Sequence, residues 1–139
     1  PGIEAVLART GAKLVPFEEL LRSSDILTIH VPLTPQTYHM IGERELSMMK
    51  DGAFLVNTAR GGVVDERALL KALKEGKLAG AALDVFEEEP LSGVSLELAK
   101  LPNVIATPHI GGQTAEAQRA ASELAAKKLM EFFRSQALL

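Results

Sequence analysis

Three segments of the chain place a chemically distinct side chain directly after a strand-like apolar run, namely Phe54–Arg60, Ala81–Pro90 and Val104–His109. In a parallel sheet, the carboxyl ends of successive strands share one edge, where open α/β folds bind ligands. The spacing therefore predicts one crevice surrounded by four side chains, those of Arg60, Asp84, Glu89 and His109. An arginine can anchor an oxyanion, a histidine can move a proton, and a carboxylate can orient that histidine. The pattern predicts an active-site edge.

Arg60 and Asp84 each have an ordinary structural interpretation beside the functional one. Arg60 precedes Gly61 and Gly62, and a glycine pair permits a sharp turn or a close approach of the backbone to a ligand. The plain alternative is a surface arginine that pairs with a carboxylate. Asp84 closes an otherwise apolar strand, so its charge requires solvent, a partner or a ligand hydroxyl. A capping or salt-bridged aspartate is the alternative there.

The remaining two residues of the predicted edge are a carboxylate and an imidazole. The acidic run Glu87–Glu89 is of a kind that usually forms a solvated loop, and only Glu89 is predicted to have a special role, because Pro90 biases it to extended geometry. His109 lies between a strand and the start of a helix, as site residues do. A lone histidine is nevertheless more often structural, so both interpretations stand for His109.

Other kinds of chemistry have little support in the sequence. His30 lies within a strand run and His39 in a loop with no obvious partner, so neither is predicted to be catalytic. The three histidines are scattered, which gives no metal-ligand spacing, and no metal is predicted. The chain has no G-x-S-x-G nucleophile turn. None of its 11 glycines fits G-x-G-x-x-G or the P-loop.

The bulk composition narrows the class of protein further. The 139 residues are of single-domain size, and an apolar content of 47% can fill a core. A net charge of −3 argues against nucleic acid as a partner. The absence of cysteine excludes disulfides and fits a cytoplasmic location, and no apolar run is long enough to span a membrane. Because the chain begins without an initiator methionine, we expect it to belong to a longer polypeptide.

Helix and strand patterns alternate along the chain, which predicts an α/β fold with a parallel sheet and right-handed crossovers. The five predicted strands are Ala12–Val15, Ile26–Val31, Ala53–Asn57, Ala79–Val85 and Val104–Thr107. The predicted helices cover about 3–9, 17–24, 43–49, 66–75, 96–101 and 115–134. Asp65 and Thr114 are predicted N-caps, and Gly76 is a predicted C-terminal stop. The continuous apolar run at Ile26–Val31 predicts a strand buried on both faces.

With these residues placed, the chain resembles the D-isomer-specific 2-hydroxyacid dehydrogenases. Four blocks carry the resemblance: HVPLTPQT at His30–Thr37, VNTARGGVVDE at Val56–Glu66, GAALDVFEEEP at Gly80–Pro90, and TPHIGGQTAEAQ at Thr107–Gln118. Their order and spacing match the family over nearly the whole chain. The ending Thr114–Gln118 favours members that act on 3-phospho-D-glycerate, at the start of serine biosynthesis, over glyoxylate or hydroxypyruvate reductases.

The resemblance implies NAD as cofactor, a small 2-hydroxy or 2-oxo acid as substrate, and a role for each matching residue. Arg60 would bind the carboxylate and carbonyl oxygen of the substrate, His109 would exchange the hydroxyl proton, and Glu89 would hold the imidazole in its charged form. The cofactor would contact a larger set that also includes Arg60 and His109, namely Val31, Thr58, Ala59, Asp84, Gly111 and Gly112. The family further implies a homodimer or a higher homo-oligomer for the full-length protein.

The resemblance also implies which parts lie outside the chain. The family's G-x-G-x-x-G turn, its first two Rossmann strands and its substrate domain have no counterpart here, so we expect residues 1–139 to form an incomplete, Rossmann-like, doubly wound NAD-binding domain. Residues 113–139 would form a helix that crosses back towards the substrate domain. Alone, the chain is expected to be inactive and to bind NAD weakly. A non-catalytic, NAD-sensing module like that of related corepressors is the alternative from another functional class.

Overall fold

The computed structural model describes residues 3–135, which fall into two compact units. The first unit extends to Ala106 and contains the sheet, and the second begins at Thr107 and contains one long helix. The boundary lies directly after the last strand, two residues before His109. Three of the four predicted edge residues therefore belong to the first unit, and His109 belongs to the second.

The sheet of the first unit has four parallel strands in sequential order: β1 (Ile26–Ile29), β2 (Ala53–Asn57), β3 (Leu78–Leu83) and β4 (Val104–Ala106). Their last residues lie side by side, because Ile29 pairs with Asn57, Asn57 with Leu83, and Leu83 with Ala106. The carboxyl ends of all four strands therefore share one edge. This confirms the predicted parallel α/β sheet.

Six α-helices are described: α1 (Ile3–Thr10) and α2 (Phe17–Ser23) precede β1, α3 (Glu43–Met48), α4 (Glu66–Lys74) and α5 (Gly93–Ala99) lie between successive strands, and α6 (Ala115–Ser135) follows β4. The predicted caps form as expected. The carboxylate of Asp65 accepts hydrogen bonds from the backbone N–H groups of Arg67 and Ala68, and Gly76 has a φ of 74° just past the end of α4. The hydroxyl oxygen of Thr114 accepts from the N–H of Ala117 at the start of α6.

The hydrophobic core lies between one face of the sheet and four helices. Leu21 of α2, Leu46 of α3, Leu69 of α4 and Leu98 of α5 are all buried. They belong to one cluster with the inward-facing side chains of the strands, which include Leu27, Leu55 and Leu83. Burying each such leucine contributes roughly 1.5–3 kcal/mol, so this cluster fixes the sheet edge that carries the candidate site.

Two predictions about the strands are wrong. Ala12–Val15 forms no strand, because a strand requires a paired neighbour and β1 is the edge of the sheet on that side. The strand at Ile26–Val31 ends at Ile29 and is buried on one face only. On the opposite face of the sheet Ile26 is 63% exposed, Phe54 48% and Ile105 70%, because α2–α5 pack against the other face. A continuous apolar run was therefore an insufficient sign of burial on both sides.

Candidate active site

The loop that follows β2 is held by the last residue of that strand. Asn57 is 1% exposed, its side-chain oxygen accepts the N–H of Ala59 at 3.0 Å, and its side-chain nitrogen donates to the carbonyl of Arg60 at 3.0 Å. Its own backbone carbonyl accepts the N–H of Asp84 at 3.0 Å. One buried amide thus fixes the backbone next to two of the predicted site residues. Asn57 was not predicted from the sequence, although a polar residue at the end of an apolar strand is a signal that could have indicated it.

A cleft of about 610 Å³ opens beyond the carboxyl ends of β1 and β2. It is lined by seven residues, His30, Val31, Pro32, Leu33, Thr58, Ala59 and Arg60. Four of these were predicted to bind the cofactor, and the structure brings those four together. The volume is within the range of small-molecule sites, about 300–1,000 Å³.

Arg60 presents its guanidinium group to this cleft from an extended backbone. Its side chain is exposed, and its Nη1 donates to the carbonyl of Ala59 at 2.6 Å. Among residues 3–135 no carboxylate pairs with Arg60, so the alternative of a surface ion pair has no support there. The remaining guanidinium donors are available for an oxyanion.

The glycine that follows Arg60 permits a close approach, but to the protein itself. A Cβ atom added to Gly61 would lie 2.1 Å from the carbonyl carbon and oxygen of Phe86 and 2.6 Å from the nitrogen of Glu87. No side chain fits at that position. The loop after β2 and the loop after β3 therefore touch through their backbones. One of the predicted possibilities for this glycine was a close approach to a ligand, and the close approach in the structure is to the neighbouring loop.

The loop after β3 carries both predicted carboxylates of the first unit. Asp84 is buried, and the Oε1 atom of Glu89 accepts the backbone N–H of Phe86 at 3.0 Å. The peptide bond between Glu89 and Pro90 is cis. Asp84 and Glu89 thus occupy the same strand-end loop, as the sequence spacing predicts, and their proposed contacts with cofactor and imidazole stay predictions.

His109 is the third residue of the second unit and has an unusual backbone conformation. Its φ is 54°, in the left-handed region, where histidine is several-fold enriched among non-glycine residues. Its N–H donates to the carbonyl of Thr107 at 3.0 Å, and its own carbonyl accepts the side-chain amide of Gln113 at 2.8 Å. Residues 111 and 112 follow in the same turn. The catalytic role of His109, its pairing with Glu89, and the cofactor contacts of Gly111 and Gly112 stay predictions.

A partly buried polar network was not predicted from the sequence. His39 was described as lacking a partner, which is wrong: its Nε2 lies 3.1 Å from Oε1 of Glu87 and its Nδ1 3.9 Å from Asp65. The acidic run Glu87–Glu89 is exposed, as expected for a solvated loop, and the carboxylate of Glu87 contacts His39 from this loop. Burial raises the pKa of Glu66, and the negative charges of Glu87 and Glu88 add to that increase. These contacts join segments that are far apart in the chain, so no local sequence pattern predicts them.

Neither metal binding nor membrane insertion is indicated by the geometry. Within the part of the chain that the structure describes, no group of three or more histidine or acidic side chains could hold a metal ion. No helix in residues 3–135 combines the length and the apolar character that crossing a bilayer requires.

With this geometry in place, comparison with known proteins defines the class. Residues 3–111 match the D-isomer-specific 2-hydroxyacid dehydrogenase NAD-binding domain. The chain belongs to this family, and its domain is the one that binds NAD. The predicted family and cofactor are therefore confirmed, as is the Rossmann-like fold.

The individual relatives include both kinds of enzyme considered above. A glyoxylate reductase of Thermococcus litoralis is 59% identical over 122 residues, which cover 88% of this chain and 36% of the relative. A D-3-phosphoglycerate dehydrogenase of Methanocaldococcus jannaschii is 50% identical over 127 residues, 91% of this chain and 24% of the relative. The chain thus spans about a third of the length of the first of these relatives. The predicted preference for phosphoglycerate-specific members is not confirmed.

A solved structure supports the cofactor assignment. The D-lactate dehydrogenase of Aquifex aeolicus, complexed with NAD and lactic acid, superimposes with a TM-score of 0.78 at 40% sequence identity, and the match covers 94% of this chain and 43% of that one. The residues of the cleft fit part of the dinucleotide: Val31 and Ala59 offer apolar surface, and Thr58 offers a hydroxyl group. No glycine turn for a pyrophosphate is present in the sequence.

Proposed function

We propose that this chain is the catalytic half of the NAD-binding domain of a D-2-hydroxyacid dehydrogenase that reduces a small 2-oxo acid such as glyoxylate or hydroxypyruvate. The observation that carries the proposal is the cleft, which brings Arg60 together with Val31, Thr58 and Ala59 at the carboxyl ends of β1 and β2. Open α/β sheets bind their ligands at this edge. The similarity to proteins named glyoxylate reductase supports the choice of substrate class.

Each residue of the proposed site has a definite task. When bound, the reduced dinucleotide supplies the hydride that adds to the carbonyl carbon of the substrate. Arg60 binds the carboxylate and polarises the carbonyl oxygen through its paired donors. His109 gives its proton to that oxygen as the hydroxyl group forms, and Glu89 keeps the imidazole oriented and charged. Val31, Thr58, Ala59 and Asp84 hold the nicotinamide end of the cofactor.

The charge of the cleft favours a substrate with a single anionic group. Among its seven lining residues, Arg60 is the only one that is always cationic. One guanidinium group matches one carboxylate. A phosphorylated substrate would require further cations for its second anionic group.

A second candidate substrate is 3-phospho-D-glycerate, or its 2-oxo counterpart in the reverse direction. It is supported by the identity of 50% to a D-3-phosphoglycerate dehydrogenase and by the ending Thr114–Gln118. The extra cations that the phosphate needs would then come from outside the seven lining residues.

A substrate profile of the full-length protein tests the proposal directly. With NADH, glyoxylate or hydroxypyruvate should give a kcat/KM at least about tenfold above that for 3-phosphohydroxypyruvate, a difference of about 1.4 kcal/mol in transition-state binding. The opposite order would establish the second candidate. Binding of NADH without turnover of any of the three acids would instead support the non-catalytic, NAD-sensing module.

Two substitutions test the proposed residue roles. His109→Ala should lower kcat by roughly 10²–10⁴, the usual contribution of general acid–base catalysis. Arg60→Lys should also lower kcat/KM, because one ammonium group cannot reproduce the paired donors of a guanidinium. Arg67→Lys is the matched control, because Arg67 is an exposed residue of α4 outside the cleft. Near-normal turnover of both site variants would refute the proposed mechanism.

A further inference from the structure

The first turn of α4 and the loop after β3 are joined by a reciprocal pair of carboxylate–amide hydrogen bonds. The N–H of Glu66 donates to Oε1 of Glu87 at 3.1 Å, and the N–H of Glu87 donates to Oε1 of Glu66 at 2.7 Å. Each glutamate thus binds the backbone of the other's segment. We call this pair of hydrogen bonds the bracket. Because hydrogen bonds to a charged acceptor are roughly twice as strong as neutral ones, we treat the bracket as a rigid connection.

Further contacts enclose the bracket on both sides. Ser95 of α5 donates its hydroxyl to Oε2 of Glu66 at 2.5 Å and accepts the N–H of Glu88 at 3.3 Å. Glu66 is 4% exposed, and burial raises the pKa of its carboxyl group. His39 lies 3.1 Å from the same Glu87 oxygen that receives the amide of Glu66. A buried carboxyl with all its partners in place holds one geometry, because any shift would leave a desolvated group unpaired.

The bracket lies directly behind two residues of the proposed site. Arg60 immediately precedes Gly61, where an added Cβ atom would lie 2.1 Å from the carbonyl group of Phe86. The N–H of Phe86 in turn donates to the carboxylate of Glu89. Any movement of the segment Phe86–Glu89 away from the first turn of α4 would therefore change the separation of Arg60 and Glu89.

We propose that Glu66 is a positioning residue which, together with Glu87, holds the loop that carries Glu89 in register with the loop that carries Arg60. This inference rests on the proposed function, because it assigns a purpose to the register of two residues of that site. Glu66 itself does not touch the substrate or the cofactor cleft. Its effect is transmitted through hydrogen bonds to backbone atoms.

The proposal predicts which kinetic constant changes. The cofactor cleft is lined by residues that follow β1 and β2, and the side chain of Asn57 holds the second of these loops independently of the bracket. The carbonyl of Asn57 likewise holds the N–H of Asp84. Loss of the bracket should therefore leave NADH binding within about twofold of the wild type. The distance between Arg60 and Glu89 should become less well fixed, and a misplacement of 1 Å can lower the rate by roughly 10².

Steady-state kinetics of the full-length protein provide the first test. Glu66→Ala should lower kcat by about tenfold or more, up to the roughly 10² expected for a 1 Å misplacement, with little change in the KM for NADH. Glu66→Gln should restore most of kcat, because its amide oxygen can still accept the N–H of Glu87 and its amide nitrogen can donate to Ser95. One acidic pocket is lined by Glu66, Glu87, Glu88 and Glu97. Glu97→Ala is the matched control, because Glu97 shares this pocket but pairs with Lys74 as an exposed side chain and takes no part in the bracket.

Three kinetic outcomes would overturn the inference. A Glu66→Ala protein with normal kcat would show that the bracket does not position the site. Glu66→Gln as damaged as Glu66→Ala would show that charge, and not the hydrogen bonds, is what matters. A Glu97→Ala protein that lost as much kcat would assign the effect to the charge of the whole pocket.

Amide hydrogen exchange gives a readout that does not depend on activity. Glu66→Ala should speed exchange of the amides of residues 61–66 and 86–89, while leaving those of β1 unchanged, and Glu97→Ala should change neither segment. If Glu66→Ala does not fold, Ser95→Ala removes one partner of Glu66 and should give the same pattern at smaller size. Unchanged exchange would refute the bracket. If the wild-type protein lacked dehydrogenase activity but Glu66→Ala still changed amide exchange in this way, the proposed function would be refuted while the structural role of the bracket would remain supported.

Discussion

Helices α4 and α6 carry comparable signals in the sequence but have different surroundings in the structure. Each begins after a residue whose side chain caps it, Asp65 for α4 and Thr114 for α6. In α4 the apolar positions Leu69, Ala72 and Leu73 are buried. In α6 no described position is buried, and Leu129 is 57% exposed.

The difference shows that an apolar stripe predicts a helix without predicting what covers it. In proteins, most helical stability comes from packing of the apolar face and not from local propensity. The nine residues of α4 should therefore contribute more to the free energy of unfolding than the 21 residues of α6. Three pairs of substitutions at equivalent positions of the two helices can test this.

The largest expected effect comes from removing one buried leucine. Leu69→Ala should lower the free energy of unfolding by about 2–5 kcal/mol, because it leaves a cavity in the core. Leu129→Ala should change it by less than about 0.5 kcal/mol, as most exposed substitutions do. Urea unfolding followed by circular dichroism measures both. Similar losses for the two variants would mean that the apolar face of α6 is packed in solution, and the predicted difference in stability between α4 and α6 would then be wrong.

The helix caps should differ in the same direction but by less. Asp65→Ala removes the acceptor for the N–H groups of Arg67 and Ala68 and should cost about 1 kcal/mol in thermal or urea unfolding. Asp65→Asn should recover most of that loss, since asparagine is an equally good cap. Thr114→Ala should reduce the helical signal of α6 while leaving the midpoint of the main transition unchanged. A shift of the midpoint by Thr114→Ala would show that α6 and the sheet unfold together.

The smallest expected effect depends on pH and compares the acidic residues in the first turns. Because burial raises the pKa of Glu66 above 4.5, the folded state binds its proton more tightly than the unfolded state. The stability that this proton gives is fully present below the pKa of Glu66 in the unfolded state, and it is lost as the pH rises through the pKa of Glu66 in the folded state. Glu66→Gln lacks this loss, so it should gain stability relative to the wild type between acidic and neutral pH, with no advantage below about pH 4.5.

Glu116→Gln is the control for that measurement, because Glu116 lies in the first turn of α6 and is exposed. Its difference from the wild type should not follow the same pH dependence. If the stability difference of Glu66→Gln were flat between pH 4 and pH 7, or reversed in sign, Glu66 would not be the buried acid that the structure describes.

The elements were predictable from the sequence wherever their signals are local. Ala53–Asn57 is predicted residue for residue, because an apolar run follows the turn at Asp51-Gly52, where Gly52 has a φ of 78°. The start of α4 follows from Asp65 alone. Gly93–Ala99 begins three residues earlier than its predicted helix, although Ser92, a favoured N-cap residue type, directly precedes it. A local start signal was therefore present and was missed.

The site was predictable in part, for a related physical reason. Strand-end positions follow from topology, so Arg60, Asp84 and Glu89 could be assigned to one edge of the sheet. Glu66, His39 and Asn57 could not be assigned, because their importance lies in contacts with segments distant along the chain. The exposure of one sheet face could not be predicted either, because an apolar run does not indicate whether one or both faces of the strand are covered.

The sequential order of the sheet has a consequence for how the chain acquires its structure. Each strand pairs with the strand that comes next in the sequence, so no strand has to be inserted between two that are already paired. During synthesis, when chains emerge from the amino end, β1 offers its edge to β2, β2 to β3, and β3 to β4. Pairings between neighbouring elements also keep loop-closure entropy low, which favours rapid folding. The sheet can therefore grow in one direction as the ribosome releases it, and the edge that carries the candidate site is assembled strand end by strand end.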